Sequence, residues 1–106
     1  MVRDAARPAC RLERGEPGHW RVSGDLGLET AAGILAEGEK AFAATSRAEV
    51  DLSGVSDADS AGLAVLIEWV RGARLAGRAI TVHGLPSRLA ELARIGGVAE
   101  LLPVAE

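Results

Sequence analysis

Residues 50–69 constrain the fold more than any other part of the sequence. They begin with Val50 and Leu52 in alternation with Asp51 and Ser53, pass through an acidic segment that holds Asp57 and Asp59, and end in apolar residues at helical spacing. This order predicts a buried strand, a short acidic loop and a helix that begins at Ser60. We therefore expect the Ser60 hydroxyl at a helix N-terminus, where backbone N–H groups are unpaired and the local field is positive.

The rest of the chain predicts strands and helices in alternation around that segment. Pro17 and Gly18 favour a turn, so the short strands on either side of them should form a hairpin. Residues 24–27 are expected to end the second strand, and the tail 98–103 to place Leu101 and Leu102 against the core. The later strands alternate with helices, which requires crossover connections and parallel pairing. The predicted strands are 9–14, 20–23, 49–52 and 79–83, and the predicted helices are 29–44, 60–76 and 86–95.

Length and composition predict one domain in residues 9–106, preceded by a disordered segment in residues 1–8. A chain of 106 residues can bury a single core, and its one cysteine, Cys10, cannot form an intrachain disulfide. A net charge of -3 argues against a general nucleic-acid binder. The longest small or apolar run, residues 61–67, is far shorter than the roughly 20 residues needed to cross a bilayer. Residues 1–8 lack the apolar segment of a signal peptide, so we expect a chain that stays in the cytoplasm.

The sequence offers little support for catalysis or for a bound cofactor. Residues 58–62 resemble a degenerate nucleophile elbow around Ser60, but a serine nucleophile needs a histidine base held by a carboxylate. The only downstream histidine, His83, is predicted at the end of a strand with no acid near it in sequence. His19, His83 and Cys10 show no metal-ligand spacing, and no glycine-rich phosphate loop is present. We expect no enzyme activity, no metal and no cofactor.

Ser60 has two interpretations that the residues alone leave open. A serine at a helix start most often caps the helix, a role worth about 1 kcal/mol. Asp59 competes for that cap, and if Asp59 takes it, the Ser60 hydroxyl is free to face outward and contact a partner.

The predicted helix after Ser60 has two apolar or small stripes. The first consists of Leu63, Leu66, Ile67 and Val70, and it should pack on the sheet. The second consists of Ala61, Val65, Glu68 and Gly72, and it could either contact another protein or pack on a neighbouring helix of the domain. Trp69 could belong to either side. Arg71, Arg74 and Arg78 form a basic group that is either a solvated face or a contact for lipid head groups or an acidic partner.

Two motifs resemble a known family. Residues 51–55 (DLSGV) and 59–63 (DSAGL) are similar to the signature of STAS domains, the fold of anti-sigma-factor antagonists. Within that family, residues 60–69 (SAGLAVLIEW) and the ending Leu101-Leu102-Pro103 resemble the Mla B branch, a small cytoplasmic subunit of a bacterial phospholipid-transport ABC system. The resemblance implies an α/β STAS fold, with a mixed sheet of four or five strands, an N-terminal antiparallel hairpin and helices mainly on one side.

The Mla B resemblance also implies a function. It implies a non-catalytic accessory subunit that binds the transporter's ATPase, acts with its permease at the inner membrane, and contributes to lipid asymmetry of the outer membrane. The partner-binding residues would be Asp59, Ser60, Ala61, Val65, Glu68 and Trp69.

The wider STAS resemblance implies an alternative, an anti-sigma factor antagonist switched by phosphorylation of Ser60. Its partners would be an anti-sigma factor and a serine kinase. A phosphate adds a charge of about -1.5 to -2, which beside Asp57 and Asp59 would repel a docked partner. The chain departs from many antagonists by carrying Ala61 in place of a second hydroxyl residue, and Ala58 in place of a bulky apolar one.

Overall fold

The computed structural model describes residues 9–105. The predicted disordered segment 1–8 lies outside the described residues, so that part of the domain assignment stays a prediction. Strands and helices alternate along the described chain as the sequence predicts. The elements are β1 (Cys10–Arg14), β2 (His19–Leu26), α1 (Ala31–Phe42), β3 (Arg47–Ala58), α2 (Ser60–Leu75), β4 (Ala79–His83), α3 (Ser87–Ile95) and a short 3-10 helix (Ala99–Leu101).

The four strands form one mixed sheet in the order β1-β2-β3-β4. β1 and β2 form the predicted antiparallel hairpin, in which Leu12 lies opposite Val22. β2 pairs with β3, and β3 with β4, in parallel, as the crossover argument requires. The carboxyl ends of β2, β3 and β4 therefore lie at one edge of the sheet, where α1, α2 and α3 begin.

Two strands run farther than the sequence predicts. β2 continues to Leu26 and β3 continues to Ala58, so residues 24–27 do not end the second strand and residues 53–58 are not a loop. The two extensions pair with each other, with Asp25 opposite Asp57 and Leu26 opposite Ala58, across an irregular register. Gly24, with a positive φ of 96°, absorbs the irregularity that a residue with a side chain would resist.

The helices cover one face of the sheet. Side chains on that face are buried on all three parallel strands, and they include Val22, Val50, Leu52, Ile80 and Val82. Alternate residues on the other face are polar, such as Arg21, Glu49 and Asp51. The tail contributes Leu102 to the core, whereas Leu101, also predicted to pack there, remains exposed.

The contact between α1 and α2 depends on a glycine that faces a tryptophan. A Cβ atom built at Gly38 would lie 2.3 Å from the Trp69 ring, so only glycine lets the two helices approach this closely. The Trp69 indole donates to the Leu35 carbonyl oxygen at 3.1 Å and packs edge-on against Phe42 with ring centroids 5.1 Å apart. Trp69 therefore joins the two helices from the inside.

Candidate functional site

The beginning of α2 is capped by Asp59 and not by Ser60. One carboxylate oxygen of Asp59, Oδ1, accepts hydrogen bonds from the backbone N–H groups of Ala61 at 2.9 Å and Gly62 at 3.2 Å. The other, Oδ2, accepts from the backbone N–H of Leu28 at 3.1 Å. A single side chain thus satisfies two unpaired donors of α2 and ties the helix to the segment that follows β2.

That junction is also tightly packed. A Cβ atom at Gly62 would lie 2.1 Å from the carbonyl oxygen of Leu26, so the first turn of α2 rests directly on the end of β2. Next to it, the Thr30 hydroxyl donates to the Asp25 carbonyl oxygen at 2.7 Å and accepts from the Gly27 N–H at 3.1 Å. The backbone around the start of α2 is therefore held from both sides.

The charge around the junction is mainly acidic. A shallow groove of about 270 Å³ is lined by Asp25, Gly27, Leu28, Glu29, Asp57, Ala58 and Asp59. Arg88 of α3 is a cation that bears on Asp59, and its Nε donates to the Ala58 carbonyl oxygen at 3.4 Å. Burial raises the pKa of Asp59, but the backbone N–H donors, assisted by Arg88, outweigh burial and hold it below the ordinary 3.8. Asp59 is therefore a carboxylate at neutral pH.

Ser60 is the first residue of α2, and it is exposed. Within residues 9–105 its hydroxyl has no hydrogen-bond partner, because the cap is supplied by Asp59. Of the two interpretations of Ser60, the structure favours the one in which the hydroxyl is available to another molecule. The exposed hydroxyl sits at the positive end of α2 and beside the Asp59 carboxylate.

The outward face of α2 includes three of the four residues of the predicted stripe, namely Ala61, Glu68 and Gly72. The exposed or partly exposed residues of α2 are Ser60, Ala61, Ala64, Ile67, Glu68, Arg71, Gly72, Arg74 and Leu75. Val65 is only 2% exposed and belongs to the core, so the prediction that it faces outward is wrong. Trp69 is 3% exposed and packs on α1, so it has no surface to offer a partner.

Two exposed residues near the start of α2, Ala64 and Leu28, are not predicted as site residues by the sequence. The register of α2 follows once Asp59 is taken as the cap, since a face that begins at Ser60 continues at Ala64 and then at Ile67 and Glu68. Leu28 is brought there by its hydrogen bond to Asp59, a contact between residues 31 positions apart that no local pattern indicates. Glu68, at the far end of the face, pairs with Arg71 at 3.2 Å.

The histidine that a catalytic Ser60 would require lies elsewhere. His83 Nε2 is 2.5 Å from Glu49 Oε1 on the open face of the sheet. Both side chains line a groove of about 470 Å³, together with residues that include Arg21 and Asp51, and Ser60 is not among them. Hydrogen bonds from Ser53 hold the pKa of Asp51 below its ordinary value, and the nearby charges of Arg21 and His83 lower it to a lesser degree. The His83–Glu49 pair is therefore not assembled with Ser60.

Metal-ligating side chains do not converge in the part of the chain described. No three His, Cys, Asp or Glu side chains between residues 9 and 105 are grouped so that they could hold a metal ion. Burial, with a smaller effect of Asp25 and Glu37, raises the pKa of the Cys10 thiol to about 11, which disfavours the thiolate that a metal would need. In the same range, no helix combines the length and apolar character that crossing a bilayer requires.

The fold is shared with solved anti-sigma factor antagonists. The SpoIIAA structure in its unphosphorylated form has a TM-score of 0.69 at 16% identity, over 92% of this chain and 89% of that one. The phosphorylated Bacillus SpoIIAA has a TM-score of 0.67 at 16% identity, over 92% of each chain. An antagonist from Mycobacterium paratuberculosis has a TM-score of 0.64 at 17% identity, over 92% of this chain and 85% of that one. At these identities the likeness shows a common fold.

The family follows from sequence. No curated protein matches the chain. A family model described as "Mlab, STAS domain" matches residues 12–103, which include all four strands and all three helices apart from the first two residues of β1. The chain therefore belongs to the STAS domain family.

Proposed function

We propose that the chain is a non-catalytic accessory subunit that binds the ATPase of an Mla-type phospholipid-transport ABC transporter. It acts with the ATPase and its permease from the cytoplasmic side of the inner membrane, supports assembly or activity of the complex, and contributes to outer-membrane lipid asymmetry. The proposal is supported by the description of the matching family, which pairs the STAS domain with Mlab over residues 12–103. It is also supported by the Mla B-like motif of residues 60–69.

The observation that carries the proposal is the exposed Ser60 on a fixed helix start. Binding is strengthened when a surface is already held in its bound conformation, because less conformational entropy is lost on association. Asp59 and Gly62 hold the first turn of α2, and Ser60 projects from it without an internal partner among the described residues. The small side chains of Ser60 and Ala64 would let a partner approach the helix backbone closely.

The predicted partner-binding residues have three different roles under this proposal. Ser60, Ala61 and Glu68, with Ala64 added, make the contact, since each is at least partly exposed. Asp59 acts by fixing the helix start. Val65 and Trp69 act only by supporting α2 from the core.

The proposal is tested by recovering the chain with its partners. The chain is tagged and purified at native expression level from its own cells, and the co-purifying proteins are identified by mass spectrometry. We expect an ABC ATPase together with its permease. Recovery of the chain with neither protein would contradict the proposal.

A matched pair of variants locates the surface. Ser60→Asp places a carboxylate on the first residue of α2, and Ser87→Asp does the same on the first residue of α3, which is also an exposed serine. An acidic residue in the first turn is compatible with the helix dipole in both cases. We expect Ser60→Asp to lose the ATPase and Ser87→Asp to keep it. If the two variants bind alike, Ser60 does not define the contact.

A second function, the anti-sigma factor antagonist, is favoured by one specific observation. The Ser60 hydroxyl is exposed at a helix N-terminus, where a phosphate would receive backbone N–H donors and a favourable field. The structure of SpoIIAA, a protein with a similar fold, has been solved in its phosphorylated form. Mass spectrometry of Ser60 in the same purification separates the functions, because this alternative requires phosphorylated Ser60, a serine kinase and an anti-sigma factor.

A further inference from the structure

The two most exposed large apolar side chains of residues 9–105 lie at opposite ends of α2. Leu28, 77% exposed, is hydrogen-bonded through its backbone to Asp59 at the start of α2, and Leu75, 76% exposed, is the last residue of that helix. Scattered exposed leucines are ordinary on a protein surface. These two differ in that their surroundings carry opposite charge.

The surroundings of Leu75 form a basic socket. Leu75 is part of a mainly apolar groove of about 210 Å³, large enough to accept one aliphatic side chain, and its lining consists of Ile67, Val70, Arg71, Arg74, Leu75 and Leu101. Arg71 pairs with Glu68, whereas Arg74 has no ion pair with any other residue between 9 and 105. The groove thus combines an apolar floor with an available cation.

The surroundings of Leu28 form an acidic knob. Leu28 and Glu29 are both exposed, and the depression beside them is also lined by Asp25, Asp57 and Asp59. Arg88 bears on Asp59 but is not part of that lining. An aliphatic side chain surrounded by carboxylates matches a groove that offers apolar contacts and an arginine.

We propose that the acidic knob at Leu28 of one copy binds the basic socket at Leu75 of a second copy. The 16 residues of α2 separate the two surfaces by roughly 24 Å, so one chain cannot join its own knob to its own socket. Each copy contributes a different surface to this contact, which permits head-to-tail association. It covers the region next to Ser60, so a copy whose knob is bound cannot offer Ser60 to another protein.

The proposal is tested with the chain alone, independently of any transporter or sigma-factor partner. Sedimentation velocity over a concentration series is measured for the wild type and for the variants Glu29→Lys and Arg74→Glu. We expect the wild type to self-associate weakly and reversibly, since the contact is small. We expect each charge reversal to weaken the association about tenfold. Glu13→Lys on β1, which changes the charge equally at an exposed site in neither surface, is the control.

Mixing and combining the variants tests whether the knob of one copy meets the socket of another. Arg74→Glu retains its knob and Glu29→Lys retains its socket, so an equimolar mixture should recover the association that each variant alone has weakened about tenfold. The double variant, with both charges reversed, should associate again. A wild type that stays monomeric at every concentration overturns the proposal. So does a mixture that stays monomeric, or a control that loses association as the two variants do.

Discussion

α2 and α3 both begin with a serine after a parallel strand, but their first turns are built differently. At α2, Asp59 caps the helix and bonds to Leu28, and the third helical residue is Gly62, pressed on the end of β2. At α3, Pro86 precedes the helix without a side-chain cap, and the third residue is the fully buried Leu89. Two helices that both begin with a serine after a strand therefore differ in how firmly that exposed serine is held. The fixed start of α2 is what makes Ser60 the better candidate for a docking residue.

The largest effect on the free energy of unfolding is expected from a substitution where the first turn of α2 meets β2. Gly62→Ala would place a Cβ 2.1 Å from a backbone oxygen that cannot move without shifting β2, so we expect a loss of about 3 kcal/mol in the free energy of unfolding. Gly72→Ala, in the same helix with nothing within 4 Å, should instead gain up to about 1 kcal/mol. Urea denaturation measures both. Equal effects of the two substitutions would mean that α2 does not rest on Leu26 as described.

The Asp59 cap should contribute less to the free energy of unfolding than the close contact of Gly62 with Leu26. Asp59→Ala removes three hydrogen bonds to backbone N–H groups, and we expect a loss of about 1–2 kcal/mol. The comparison is Pro86→Ala at α3, where no side-chain cap exists and the change should be on the order of 0.5 kcal/mol. Similar losses from both substitutions in urea denaturation would remove the contrast between the two helix starts.

The charge of Asp59 should appear in the pH dependence of stability. The pKa of Asp59 is lowered in the folded state, so its ionised form stabilises the fold above the ordinary pKa of 3.8, and this contribution is lost as pH falls through the lower folded value. Asparagine also caps helices but does not ionise in this range. We therefore expect the stability advantage of the wild type over Asp59→Asn to shrink with falling pH below 3.8. Asp51 titrates in both proteins and cancels in the difference. A constant difference would contradict this account of the cap.

The smallest effect is expected from the two serines. Ser60→Asp and Ser87→Asp both add an acid to the first turn of a helix at an exposed site, so each should change the free energy of unfolding by about 0.5 kcal/mol or less. Thermal and urea denaturation check this directly. A large loss of stability in Ser60→Asp alone would show that Ser60 supports the fold, and would undermine its use as a probe of binding.

Much of the fold follows from local signals in the sequence. The predicted strand 79–83 has the observed bounds of β4, and the predicted helix at residue 60 begins where α2 begins. Both have strong local patterns, namely apolar alternation in the strand and an Asp-Ser start in the helix. The hairpin was equally accessible, because Pro17 and Gly18 interrupt two short strands.

The ends of β2 and β3 could not be predicted in the same way. Ser53, Ser56 and Asp57 are poor strand formers, and they extend β3 only because β2 runs alongside them in parallel. The pairing partner of residue 57 is residue 25, far away in sequence. Local composition therefore indicated a loop where a tertiary contact builds a strand.

The candidate site was predicted in part for the same reason. Asp59 and Ser60 were found because capping is a local property. The sequence leaves open whether Trp69 and the stripe that contains Val65 face a partner or a neighbouring helix, because the position of α1 is a tertiary feature. Gly38 is the sequence feature that could have indicated the buried position of Trp69, because its missing side chain leaves room for the Trp69 ring. A glycine in a helix does not by itself show which residue packs against it, however.

The most direct test of the central claim is photo-crosslinking in the chain's own cells. A photoreactive amino acid is introduced at position 60 in one strain and at position 87 in another, and the adducts are identified by mass spectrometry. The account predicts an adduct with an ABC ATPase from position 60 and none from position 87. An ATPase adduct from position 87 alone, or an anti-sigma factor in place of the ATPase at position 60, would contradict it.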